Sequence, residues 1–289
     1  MPVLVPKRCI EQTMADIADP RSATQQTADP ARAKRALPRW AITTISLCVF
    51  LLFWEFFGRQ INPIFGSYPT AIFSASIELV RNGKLVGALV QSLQPFLLGY
   101  FLAIVAGVPL GLVLGRFATV EAALGMFVTG GYAMPLVALV PLLILWFGLG
   151  FTVKAAVIFL MAIFPIVINT WLGVKSVPKA LIDVGKSLVA SDAVILRRIV
   201  LPATLPYIMA GVRLAVGRAV VGMVVAEFFT EISGLGGIII NAGNNFDTAT
   251  MFVPIIVLMA IAIGLNHLIG WLEKVIAPWQ AEIAGREQN

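Results

Sequence analysis

The triplet Gly185-Lys186-Ser187 lies inside ALIDVGKSLVASDAVILRRIVLP, residues 180–202, and ends as a phosphate-binding loop ends. Such a loop turns several backbone N–H groups toward phosphate oxygens, which requires a glycine five residues ahead of the Gly-Lys pair and a strand leading in. The required position holds Ala180, Asp183 would set a carboxylate beside the phosphates, and Pro178 and Lys179 stand where the strand should run. The nucleotide-binding reading therefore lacks its cradle. Other reactive residues are scarce. There is no His-Glu-x-x-His, no Gly-x-Ser-x-Gly and no carboxylate cluster, so no catalytic residue is nominated. Cys9 falls in a polar tail and Cys48 in an apolar run, which gives neither a disulfide framework nor a metal site. The single histidine, His267, sits on an apolar stretch, open to helix packing or to a proton relay.

The elements that hold these residues follow from composition. Of 289 residues, 59% are hydrophobic and only 12% charged, with a mean hydropathy of +0.91. A soluble domain carries about 25% charged residues. The chain is an integral membrane protein of the all-α polytopic class, since its apolar runs reach the ~20 residues a spanning helix needs. The alternating pattern of a membrane barrel is absent. The net charge of +6 is spread over the ends of apolar segments and marks topology, not a nucleic-acid groove.

Residues 1–39 are polar and predict a disordered cytoplasmic tail with no cleaved signal. Apolar runs at 40–57, 88–115, 122–148, 153–174, 203–229 and 251–272 predict about six transmembrane helices, with 40–66 holding the first helix and its outer loop and 273–289 a cytoplasmic C-terminal tail. Arg32, Lys34, Arg35, Arg39, Arg116, Lys175, Lys179, Lys186, Arg197, Arg198, Lys274 and Arg286 then lie inside, and only Arg59, Arg81, Lys84 and Lys154 outside. That asymmetry predicts that both termini are cytoplasmic.

Residues 68–87 set Ile72, Ser76, Leu79 and Val80 at helical spacing and predict a short amphipathic helix on the outer face. Ala103, Gly107, Gly111 and Gly115 make a small-residue stripe, fit for close helix packing and less so for a ligand. Pro135 and Pro141 predict either a kink or a segment that lines a pathway. Asn169, Arg213 and Arg218 add polar groups at membrane depth. Glu227 and Glu231, beside the Gly234-Gly236-Gly237 run, predict either an outer mouth with re-entrant backbone or an ordinary solvated loop.

Leu181, Val184 and Leu188 share one helical face, Ser191 and Asp192 are N-cap types, and Ile195 and Ile199 repeat the spacing. The expectation over 178–201 is a cytoplasmic helix pair with an apolar face for a soluble partner, and Pro202 stops or redirects the chain after it. This loop resembles the EAA signature of binding-protein-dependent ABC importer permeases. Ile199-Val200-Leu201-Pro202 matches its ending, Asp183-Val184-Gly185 stands at the EAA triplet, and Val189 stands where the signature has glycine. The strings MPLVALVPLLILWFGLG (134–150), FPIVINTWLGVKSVP (164–178), LPYIMAGVRLAVGRAVVGMVVAE (205–227) and SGLGGII (233–239) are similar to permeases of the sulfonate, taurine and nitrate subfamily, and the likeness covers roughly 67–272.

The resemblance implies a type I importer permease fold and a homodimer with a second permease copy in the bacterial inner membrane. It implies two ABC ATPase subunits, which bind the ATP and Mg, so that this chain carries no cofactor of its own. It also implies an extracytoplasmic substrate-binding protein. The implied cargo is a small organic anion such as a sulfonate, taurine or nitrate, with an aromatic carboxylate or vitamin precursor as the alternative, and a passive channel as the rival class. The implied ATPase-coupling residues are Leu181, Asp183, Val184, Gly185, Leu188, Val189, Ile199 and Pro202. Spacing and resemblance together place Met134, Val137, Asn169 and Met223 on the translocation pathway, and Glu227 and Glu231 against the binding protein.

Overall fold

Each long apolar run is helical in the computed structural model, which describes residues 38–230 and 233–278. The tail before Pro38, Glu231 and the segment after Pro278 lie outside the described residues. The chain separates into two units, one ending at Leu52 and one beginning at Phe53. Helix α1, Arg39–Gly58, begins in the first unit, where the Thr44 hydroxyl donates to the Trp40 carbonyl at 2.8 Å and Ile42, Leu47 and Leu52 are exposed.

The second unit is built on three long helices: α3 (Lys84–Arg116), α6 (Phe151–Lys175) and α9 (Leu201–Phe229), with α6 lying along both of the others. The small-residue stripe explains the contact between α3 and α6. A Cβ added at Gly111 would stand 2.6 Å from Thr170 Cβ and 2.7 Å from the Val167 carbonyl oxygen, and one at Gly107 3.0 Å from Ile166 Cγ2. The stripe is a packing surface, because only the absent side chains let the two backbones approach. Phe96, Ile158, Ile166, Ala215, Ala219 and Met223 fill the core between the three helices.

The third expected span, 122–148, is two helices. Helix α4 (Ala118–Ala133) ends at Met134, a 3-10 turn follows over Leu136–Leu139, and α5 (Val140–Phe147) leaves at 94°. Pro135 drives the residue before it into an extended conformation, and Met134 has ψ 141°. The prolines thus break the span outright. Among the described residues five helices are long and apolar enough to cross a bilayer, or six with the bent pair counted as one span.

Helix α2 (Pro69–Arg81) is the amphipathic segment. It buries Ile72 and Leu79 against the bundle but leaves Val80 exposed. The last helix, α11, runs Thr248–Ile276, beyond the expected end at 272, and Asp247 caps it by accepting from the Thr250 N–H at 3.1 Å.

Candidate functional site

At one end of the bundle, helix α7 (Lys179–Ser187) and the single turn α8 (Asp192–Ile195) form the expected pair. Their inner face is closed by Ile182, Ala190, Ile195, Ile199 and Val200, which pack with Val174 and Val177. Gly185 belongs to that face, since a Cβ there would meet Ile199 Cδ1 at 3.0 Å and Ile195 Cγ1 at 3.1 Å. Gly185 and Ile199 therefore hold the pair together from its inner side. Leu181, Val184, Leu188 and Val189 face outward with Asp183, and Leu188 and Val189 are 77% and 92% exposed. Two ion pairs, Arg116 with Asp192 and Lys175 with Glu121, fix this end to α3 and to the start of α4.

Gly185-Lys186-Ser187 forms the last turn of α7. A phosphate loop precedes a helix and aims free N–H groups at its ligand; here the triplet sits at the C-terminal end, where carbonyls are left over. That geometry is not the geometry of a phosphate loop. The α7 terminus is a Schellman turn: the Val189 N–H donates to the Lys186 carbonyl at 2.9 Å and the Ala190 N–H to the Gly185 carbonyl at 3.1 Å. Such a turn needs a left-handed residue at its penultimate position, and Val189 supplies it with φ +57°. The turn geometry of the missing glycine is retained.

Pro202 does not stop the chain. From α8 the helix continues through a π-type stretch, Leu196–Val200, into α9, and Asp192–Phe229 is one helical run of 38 residues. The wider winding just upstream accommodates a ring that would otherwise clash with the carbonyl four residues back.

At the opposite end, the glycine-rich segment is a helix, α10 (Gly234–Asn244), set against α3, α9 and α11. Its first N–H groups are satisfied from other helices. Gly234 N–H donates to Gln91 Oε1 at 3.1 Å, Leu235 N–H to Ser92 Oγ at 2.8 Å and Gly236 N–H to Glu227 Oε2 at 2.7 Å. The Ser92 hydroxyl in turn donates to Glu227 Oε1, and Lys154 Nζ donates to Ser233 Oγ at 2.7 Å while also acting on the Glu227 charge. Acidic and oxygen-bearing groups at a helix N-terminus meet both its orphan donors and its dipole. Glu227 is 1% exposed, so it is an internal lock for α10 and has no surface for the binding-protein contact expected of it.

The four pathway residues do not form one set within the chain. Met134 and Val137 are exposed at the break between α4 and α5. Asn169 is half-buried where α6 meets α9, its amide donating to the Pro165 carbonyl at 2.8 Å and its Cβ opposite Gly211. Met223, 1% exposed, fills the core. Sequence reasoning missed Gln91, Ser92 and Lys154. Ser233 ahead of a glycine and an apolar run is the one local sign of a helix start there.

A family model described as "Binding-protein-dependent transport system inner membrane component" matches residues 107–281. The taurine transport system permease protein of Escherichia coli K12 is 30% identical over 264 residues, 87% of this chain and 96% of that protein. The formylaminopyrimidine transport permease protein of Halalkalibacterium halodurans is 30% identical over 238 residues, 82% and 95% of the two chains. The solved MetNI methionine ABC transporter has the same fold, with a TM-score of 0.55 at 18% identity over 67% of this chain and 94% of that one.

Proposed function

Because the chain belongs to the binding-protein-dependent transport system inner-membrane components, and is a permease component of an ABC importer, we propose that it passes a small organic anion of the sulfonate or taurine kind through an ATP-driven pump. The taurine permease among its relatives supports that cargo class. The formylaminopyrimidine permease favours a second reading, a vitamin precursor. In this proposal two ATPase subunits bind ATP and Mg, an extracytoplasmic binding protein delivers the solute, a second copy of the chain completes the pathway, and α7–α8 lies on the cytoplasmic side.

The observation that carries the reading is the split personality of α7–α8. One face is packed and ion-paired to the bundle; the other presents Leu181, Val184, Leu188 and Val189 to solvent. Exposed apolar ridges beyond the bilayer mark protein contacts, and each Leu or Val fully buried there contributes about 1.5–3 kcal/mol. A switch also needs a continuous path inward, and the helical run from Asp192 to Phe229, with its π-type stretch at Leu196–Val200, supports that reading.

The test is co-purification of the ATPase subunit with tagged permease. Val184→Glu places an unpaired carboxylate in the interface and is expected to abolish co-purification, at a cost of several kcal/mol. Lys186→Ala removes only a surface charge and is expected to leave it intact. Full assembly by Val184→Glu would refute the docking surface.

A further inference from the structure

Val189 holds a conformation that its own fold does not reward. At φ +57° its Cβ crowds the backbone, and a side chain branched at Cβ suffers most there. The Schellman bonds from Val189 and Ala190 involve backbone atoms alone, so glycine would close the same turn without the crowding. Strain is tolerated where a side chain offsets it by packing, yet this one is 92% exposed. Leu188 beside it is 77% exposed, and the two extend the ridge begun by Leu181 and Val184 to the tip of α7.

We infer that Val189 is the specificity-determining knob of the ATPase contact: its branched side chain enters an apolar pocket on the ATPase subunit. The inference rests on the reading of α7–α8 as the docking surface. In it, the left-handed backbone has a purpose, because it turns the side chain away from α7 and out toward the partner. An ATPase whose pocket is built for a glycine turn has no room for the branched side chain, and an ATPase built for valine loses a contact when glycine is offered. This permease is thereby matched to its own ATPase.

The experiment titrates full-length permease in lipid nanodiscs with its purified ATPase subunit, and records thermal unfolding of the permease alone. Val189→Gly is expected to raise the unfolding midpoint and to weaken ATPase binding about tenfold, the equivalent of ~1.4 kcal/mol. Val189→Asn, which tolerates the left-handed region, is expected to bind as weakly as Val189→Gly, whereas Val189→Ile retains binding. Native-strength binding by Val189→Gly, or no gain in its midpoint, overturns the inference. Val184→Glu in the same titration separates the two levels. If Val184→Glu loses binding while Val189→Gly keeps it, only the knob is wrong; if both keep it, the docking surface itself is wrong.

Discussion

Glu227→Ala is expected to free α10 from its lock. The carboxyl group uses both oxygens, one accepting from the Ser92 hydroxyl and the other from the Gly236 N–H at 2.7 Å. Truncation leaves both donors without their acceptor in a site closed to water, with Glu227 only 1% exposed. A buried donor without an acceptor costs about 1–3 kcal/mol, so the pair amounts to roughly 2–6 kcal/mol. Gly234 and Leu235 keep Gln91 and Ser92, which confines the damage to the first turn of α10. The readout is amide hydrogen exchange over 233–240 in nanodiscs. A local loss of ~2 kcal/mol means roughly thirtyfold faster exchange from the opened state. Glu227→Gln is the control: its amide oxygen can accept from Gly236, and its nitrogen can donate to Ser92 Oγ, so most protection should remain. A surface role for Glu227 predicts the reverse pattern, with altered response to the binding protein and unchanged exchange. Native exchange rates in Glu227→Ala would refute the lock.

Two further outcomes follow from packing. At Gly111 a side chain meets Thr170 Cβ and the Val167 carbonyl oxygen within 2.7 Å, and the latter is backbone that moves only with its helix. Gly111→Val is therefore expected to lower the thermal unfolding midpoint through overpacking of about 1–3 kcal/mol, while Gly130→Ala, where nothing lies within 4 Å, should leave it unchanged. Cysteines at Met134 and Val137, exposed at the α4–α5 break, should react with a membrane-permeant maleimide much faster than one at Met223; equal rates would mean that α9 does not hold Met223 in the core.

The legible parts of the fold were those dictated by the bilayer or by local chemistry. Six apolar runs announce themselves because a hydrocarbon slab sets their length, and the stripe from Ala103 to Gly115 announces a close neighbour, though not that the neighbour is α6. Pro135 and Pro141 marked a disturbance in the third run. Whether it would be a kink or a 94° break depended on Met134 going extended and on a 3-10 turn closing the corner. Helix α10 was illegible for a stronger reason. Eleven residues opening Gly-Leu-Gly-Gly are poor helix formers alone, and their N-terminal donors find acceptors at Gln91 and Ser92, more than a hundred residues away in sequence. The same distance hid the burial of Glu227, which next to a run of glycines looks like part of a solvated loop. Val189 lies between these cases. Its departure from the signature was visible, but only the backbone shows that the glycine conformation survives the change of residue.

The placement of these features has a mechanical consequence. Asp192, paired to Arg116 at the start of α8, and Glu227, which locks α10, stand near opposite ends of one helical run of 38 residues. At 1.5 Å per residue that run is ~57 Å long. Between α7–α8 and the α10 lock the chain is helical throughout, with no loop, and passes the π-type stretch Leu196–Val200 and Pro206. The α4–α5 segment is reached less directly, through the Lys175–Glu121 pair, and then across its 94° break. Rigid contacts transmit motion and broken ones disperse it. Regular α-helix is interrupted at two places along these paths, at Leu196–Val200 within the long run and at Met134–Leu139 where α4 meets α5.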